Sequence, residues 1–400
     1  MSRILLAWEQ GKGLGHLYSL AGLARTLALQ GHTVTLVSRE LSACRALLAG
    51  TTIHLLMAPH WSRQSKWPTP ARNLAELLLR RGYHDKASLA PMVAAWRAIF
   101  DLVAPDLLVL DYAPTAALAA RGRSIPTLIF SNSYCIPVAG LPLRDYTPWL
   151  PAEPERMRRS EAHLLAVCNQ LATRELTHAS ELFAADAVQH LDYPLFDVEV
   201  ARRPNACYLG YATTGSEPVC LPKSEPLHWV SRAPRVFAYL DLNVRGCDPL
   251  LAALARSGVD LWCKVASGQE SRAQQLLGSR GRVLTQMVDF PTLLRQAVLL
   301  VCNGNLGAVC QSLLAGCPML LLPGHLEHRH NAEQIVKLGA GLLLSSTLSA
   351  TQMEERLLLL LNSGSFRQAA ERGGQLLAQQ GSKDPRGQLL GCCQRLLDRG

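Results

Sequence analysis

The sequence carries no Cys-x-x-Cys pair, no run of basic residues and no long uninterrupted apolar segment, and each absence closes a class of function. Its twelve cysteines lie scattered between positions 44 and 393, several inside apolar runs. They read as small buried residues in a reducing compartment rather than as a disulfide framework, and the adjacent Cys392 and Cys393 are badly placed to bridge one another. The formal charge of +9 is moderate for 400 residues and is carried mostly by arginine. Without a basic run or an aromatic-interleaved patch it suits anionic small molecules, or at most a peripheral meeting with anionic lipid, better than nucleic acid. The N-terminal apolar run, Ile4 to Trp8, is too short for the core of a secretion signal. Residues 298–326 contain no Asp, Glu, Lys or Arg, yet Asn303, Gly304, Asn305, Gly307, Gln311, Gly316 and Pro318 break them into buried sheet segments rather than a membrane span. A cytoplasmic protein is expected.

What is present is a chain with 48% hydrophobic and 18% charged residues, globular in composition and too long for one ordinary core. From Val298 to Gly341 an apolar run stops at Cys302-Asn303-Gly304-Asn305-Leu306-Gly307. A helical run then ends at Gly316, a second apolar run stops at Pro323-Gly324, and a polar helix begins near Glu327. This is a parallel α/β winding, in which loops after strands open onto a ligand crevice and glycines let backbone N–H groups approach an anion. The N-terminus opens in the same way: strand 3–8, a glycine loop through Gly11, Gly13, Gly15 and His16, a helix to Gln30, and strand 33–38. Further strands are expected at 53–57, 105–111, 125–130, 187–190 and 206–209, with a long helical stretch over 153–184. In the second half, strands at 235–240, 259–265 and 283–284 precede the winding already described. The non-periodic, proline-containing 213–226 reads as a linker, giving domains at 1–212 and 227–385 and a last helix at 386–400.

The motif C-N-G-N-L-G-A-V-C-Q-S-L-L-A-G-C-P followed by P-G-H-L-E-H-R-H-N-A resembles the donor-binding signature of UDP-sugar glycosyltransferases of the two-domain GT-B fold. Gly304, Gly307, Ala315-Gly316, Pro318, Pro323, Glu327 and Asn331-Ala332 match it in spacing. Cys302 and Asn303 stand where the family has a histidine, Cys310 where it has an acid, and His328 where it has a glutamine. The N-terminal loop ending in Gly15-His16, and Pro105-Asp106 to Asp111 followed by a small-residue helix, resemble the same family. The resemblance implies an α/β protein with two Rossmann-like domains facing across a cleft and the last helix returning to the N-terminal domain.

It further implies transfer of a hexose from a UDP-sugar, or another nucleoside-diphosphate sugar, to the hydroxyl of a small-molecule or lipid-linked acceptor, with inversion and without metal or cofactor. His16 is then the general base and Asp111 the acid that orients it. The donor is expected to meet Gly13, Gly15, Asn243, Arg245, Met287, Val288, Asn303, Gly304, Asn305, Leu306, Gly307, Glu327 and His328. The side-chain amides of Asn303 and Asn305 can offer hydrogen bonds to phosphate, and Arg245 can supply the charge that the missing histidine would have brought. Plainer roles stand beside these. His16 can simply start its helix, Asp111 can cap the helix that follows it, and Trp61, Trp67 and Trp96 with Lys66, Arg72, Arg80 and Arg81 can be packing residues rather than an acceptor surface. His325, Glu327, His328 and His330 match no metal-ligand spacing. The alternative reading is a non-catalytic GT-B protein that binds a nucleotide or a partner, motivated by the departures at 302, 303, 310 and 328; an epimerase on the same fold would need further acids.

Overall fold

The computed structural model describes residues 1–11, 15–63, 70–211, 232–286 and 288–399. The expected linker at 213–226, Gly13, Met287, Lys66 and Trp67 lie outside the described residues. The chain divides into two compact units, Met1–Val219 with Ser382–Gly400 and Cys220–Gly381.

In the first unit the order is β1 (Arg3–Trp8), α1 (Gly15–Leu29), β2 (Thr33–Ser38), α2 (Leu41–Leu47), β3 (His54–Met57), α3 (Leu74–Leu78), α4 (Lys86–Val103), β4 (Leu107–Asp111), α5 (Pro114–Ala120), β5 (Thr127–Ser131), α6 (Pro154–Asn169) and β6 (Ala187–His190). In the second it is β7 (Arg235–Leu240), α7 (Cys247–Arg256), β8 (Asp260–Val265), α8 (Glu270–Leu277), β9 (Arg282–Val283), α9 (Phe290–Gln296), β10 (Leu299–Cys302), α10 (Leu306–Leu314), β11 (Met319–Leu321), α11 (Leu326–Lys337), β12 (Gly341–Leu343), α12 (Ala350–Asn362) and α13 (Gly364–Gln380). The last helix, α14 (Pro385–Leu397), belongs to the first unit. Its Leu389, Cys392, Cys393 and Leu396 are buried with Ile4, Leu6 and Leu20 in the core of the first sheet.

Both sheets are six-stranded and parallel, ordered β3-β2-β1-β4-β5-β6 and β12-β11-β10-β7-β8-β9. The central strands are apolar throughout because helices cover both faces: Ile4 to Ala7 and Leu299 to Cys302 are fully buried. In each sheet the winding reverses beside its first strand, between β1 and β4 and between β7 and β10. Such a reversal leaves a crevice at the carboxyl ends of the two strands, where α/β proteins bind ligands.

Two expectations are corrected. Helix 153–184 stops at Asn169, whose side-chain amide donates to the Leu176 carbonyl and accepts from the Leu176 N–H, both at 2.9 Å. This clamp turns the chain back, and the helix-like periodicity beyond it ends as a 3₁₀ turn at Ala179–Phe183. The strand expected at 206–209 contributes only a single bridge, Tyr208 beside His190. Among the described residues no helix is long and apolar enough to cross a membrane.

Candidate active site

Parallel pairing of β1 with β4 sets Trp8 level with Asp111, so the loop leaving β1 and the acid ending β4 meet at the first reversal point. His16, the second residue of α1, points its Nδ1 at Asp111, 2.9 Å from Oδ1 and 2.8 Å from Oδ2. Asp111 is fully buried and its Oδ1 also accepts from the Ser131 hydroxyl at 2.6 Å. A carboxylate has only acceptors to offer, so Nδ1 keeps the proton and the lone pair lies on Nε2. The Trp8 ring stacks on the imidazole, centroids 5.7 Å apart and planes within 18°, fixing its tilt. Gly11 follows at φ +95°, and a Cβ there would stand 3.2 Å from His16 Nε2. The site therefore needs glycine at 11 for both conformation and clearance. Tyr112, directly after Asp111, is held at φ +44°, a strained setting for a non-glycine residue, and its carbonyl accepts from the Gln10 N–H at 3.0 Å.

Sequence reasoning missed Glu9. Its fully buried carboxylate accepts from the N–H groups of Thr115 (2.9 Å) and Ala116 (3.2 Å), from Gln10 Nε2 (3.1 Å) and, in a very short contact, from the Thr115 hydroxyl. Glu9 therefore caps α5, the role left open for Asp111, and Asp111 is released to His16. Burial pushes the Glu9 carboxyl up to about 7, against the pull of these hydrogen bonds. The signal was present, although faint: α5 begins after Ala113, which has no capping side chain, so its N–H groups need a distant acceptor.

At the second reversal point the residues expected to meet the donor fall into two groups. Asn303, Gly304 and His328 are brought together with the loop after β7. Asn303 is not available to a phosphate: its Oδ1 accepts from the Asp241 N–H at 2.7 Å, and its Nδ2 donates to the Leu322 carbonyl at 2.8 Å with Cys247 Sγ 3.9 Å away. An unsatisfied N–H and carbonyl would otherwise sit between the two strand ends, which is why the side chain is spent there. Gly304 has φ +88°, and a Cβ on it would lie 2.7 Å from the His328 carbonyl oxygen. Its own carbonyl accepts from Asn331 Nδ2 at 3.0 Å. Asn305 precedes α10 in extended conformation without bonding to the helix through its side chain, so the first-turn amides of Leu306, Gly307 and Ala308 have no side-chain cap. His328 packs against His325, ring centroids 3.5 Å apart, and burial with that neighbour pushes it down to about 3, so it is neutral. Glu327 lies in the first turn of α11.

Asn243 and Arg245 form the second group. With Leu242, Val244, Gly246 and Arg272 they line a pocket of about 380 Å³ that does not include the glycine turn at 303–307. Arg272 is held by Asp248 at 2.7 Å and by the Leu242 carbonyl at 3.2 Å, whereas Arg245 is exposed and makes no ion pair among the described residues. Val288 lies in the irregular segment before α9. Gly15 opens α1 in the other unit, beside His16. Of the acceptor-side candidates, Trp96 is buried core and Arg72 is buried against Asp145. Among the described residues no three His, Cys, Asp or Glu side chains are grouped to hold a metal ion.

No protein-family model matches the chain. A PGL/p-HBAD biosynthesis glycosyltransferase of Mycobacterium tuberculosis is 26% identical over 320 residues, covering 74% of this chain and 73% of that protein. A PGL/p-HBAD biosynthesis rhamnosyltransferase of Mycobacterium bovis is 23% identical over 329 residues, covering 76% and 70%. Among solved structures, the spinosyn rhamnosyltransferase SpnG complexed with thymidine diphosphate superimposes with a TM-score of 0.69 at 19% identity, over 98% of this chain and 100% of that one. The calicheamicin glycosyltransferase CalG4 gives 0.69 at 17% identity, over 100% and 99%. The fold is the GT-B type, built of two Rossmann-like domains.

Proposed function

We propose that this chain, a glycosyltransferase of the GT-B fold, moves a hexose from a UDP-sugar or another nucleoside-diphosphate sugar to an acceptor hydroxyl with inversion, His16 serving as general base. The observation that carries the reading is the His16–Asp111 pair at the reversal point of the first sheet. In the proposed step Nε2 takes the hydroxyl proton as the oxygen attacks the anomeric carbon from the face opposite the diphosphate. The anomeric C–O bond breaks, its electron pair leaves with the nucleoside diphosphate, and Asp111 stabilises the imidazolium. A positioned base of this kind is worth roughly 10²- to 10⁴-fold in rate.

On the donor side, the uncapped amides at the start of α10, with the helix dipole behind them, suit a departing diphosphate. Arg245, on the loop after β7, is the candidate for added charge. Metal independence is part of the proposal because the sequence has no Asp-x-Asp at a strand end. The acceptor is a small molecule or a lipid-linked hydroxyl, and the thymidine diphosphate of the SpnG structure makes TDP-sugars the next donors to try. A second reading, nucleotide binding without transfer, is favoured by one observation: the Asn303 amide is already spent inside the fold.

The test is incubation of the full chain with UDP- and TDP-hexoses and a panel of phenolic and aliphatic hydroxyl acceptors, with and without EDTA. Released nucleoside diphosphate is assayed, and the anomeric coupling of the product is read by NMR. Product of inverted configuration, insensitive to EDTA and lost in His16→Ala, supports the proposal. Thermal stabilisation by UDP or TDP, about 2.7 kcal/mol at a hundredfold excess over Kd, with no product from any pair, supports the second reading instead.

A further inference from the structure

The ladder that joins β1 to β4 ends at the pair Trp8 and Asp111, the two residues that hold the His16 ring. Beyond that pair the strands give way to loops, and any fixed relation between them depends on other bonds. Two links supply it. The Gln10 N–H donates to the Tyr112 carbonyl at 3.0 Å. The Glu9 carboxylate, directly after Trp8, crosses to the start of α5 and accepts from the N–H groups of Thr115 at 2.9 Å and Ala116 at 3.2 Å. The short segment Tyr112, Ala113 and Pro114 therefore runs from the strand end to the Glu9 clamp, and it includes the left-handed setting of Tyr112 at φ +44°. A strained residue persists where the structure around it fixes its segment at both ends.

The clamp is set deep. Glu9, Thr115 and Tyr83 are fully buried, and the Thr115 hydroxyl that touches Glu9 Oε1 also meets the Tyr83 hydroxyl at 2.6 Å. A buried carboxyl is a costly cap for a helix that a serine or asparagine at position 113 could cap from beside it. What the distant acid adds is the join between the two loops.

We propose that Glu9 is a positioning residue for sugar transfer: by bridging the loop after β1 to the start of α5, it keeps the Trp8 ring and the Asp111 carboxylate at the spacing that holds the His16 imidazole. It acts through those two residues and not on the substrate. The inference rests on the reading of His16 as the base. What the role requires of Glu9 is reach and an accepting oxygen, not charge, which fits a carboxyl that burial has pushed up to about 7. Glutamine has the same reach. With the Gln10 amide turned over, its oxygen can take the two N–H groups and its NH₂ can donate to the Thr115 hydroxyl. Aspartate keeps the charge and falls short by one methylene.

The experiment measures Glu9→Ala, Glu9→Gln and Glu9→Asp on the full chain by two readouts. The first is the proton NMR signal of His16 Nδ1–H, which a carboxylate partner draws far downfield and which is identified by its absence from His16→Ala. The second is transfer kinetics with whichever donor is active. In Glu9→Ala the signal should be lost or move upfield. Its kcat should fall by about 10²-fold, the order expected of a misplacement near 1 Å, while the donor KM changes by less than about threefold. Glu9→Gln should keep the signal and most of kcat, and Glu9→Asp should resemble Glu9→Ala. Circular dichroism melts establish that each variant is folded; should Glu9→Ala not fold, the contrast between Gln and Asp decides. Signal and kcat unmoved in Glu9→Ala, with only the melting temperature lowered, overturn the inference and leave Glu9 a helix cap. Rescue by Asp and not by Gln overturns it too, because charge would then be the requirement. If the signal follows Glu9 as expected and no donor yields product, the positioning stands and the transferase reading falls. Transfer that depends on His16 and is indifferent to Glu9 does the reverse.

Discussion

The two reversal points have the same architecture and opposite chemistry. In the first unit the strand ends and the helix start beside them carry titratable side chains, Asp111, Glu9 and His16, each held by hydrogen bonds. In the second, the equivalent strand ends carry Asp241, Asn303 and a glycine turn, and the Asn303 side chain is consumed in stitching the loops after β7 and β10 together. A shared winding therefore positions chemistry in one place and backbone amides in the other. The teaching is that a Rossmann-like crevice is a location rather than a function, and that the residues at the strand ends decide its chemistry.

The contrast breaks most decisively at His16. Replacement by alanine should lower transfer by roughly 10²- to 10⁴-fold while UDP affinity, measured by calorimetry, stays within a few-fold. Turnover unchanged from the parent would remove the imidazole from the mechanism. Asp111→Asn comes next. An amide in place of the carboxylate no longer demands the Nδ1–H tautomer, and a loss on the order of 10²-fold in kcat is expected, with KM little changed.

Glu9→Gln sharpens the comparison through stability. The native carboxyl titrates near 7 against about 4.3 for a free glutamate. The folded state therefore binds the proton more tightly than the unfolded one. That contribution is fully present below about pH 4.3 and is lost as pH rises through 7, an amount on the order of 3 kcal/mol. Urea unfolding at pH 5 and pH 8 should show a fall across this window that Glu9→Gln flattens; the same fall in the variant would assign it to other groups. The smallest effect belongs to the second unit. Asn303→Ala strands the Asp241 N–H and the Leu322 carbonyl and should cost about 1–3 kcal/mol, read as a lowered melting temperature, whereas a phosphate ligand at this position would make loss of nucleotide affinity the dominant result.

The fold was readable where the code is local. Strands 33–38, 187–190 and 235–240 coincide with the expected residues because apolar runs there are bounded by turns, glycines or charges. The His16–Asp111 pairing was available only through resemblance, since 95 residues separate the partners. Glu9 was legible merely as the start of the glycine loop. Its partners on α5 lie more than a hundred residues downstream, and nothing nearby marks it as a helix cap. Asn303 shows the converse. A residue beside a glycine turn reads as ligand-facing from its neighbours, yet the packing of two loops claims both ends of its amide. The false continuation of α6 has a similar origin, because the periodicity persists past Asn169 while a long-range-looking clamp spanning only seven residues reverses the chain.

The contact at Gly304 separates what can be diversified from what cannot. Residue 304 abuts the main-chain oxygen of position 328, not its imidazole, so exchanging the side chain at 328 leaves that join untouched. A library at 328 therefore leaves this main-chain join intact, while position 304 admits no alphabet beyond glycine.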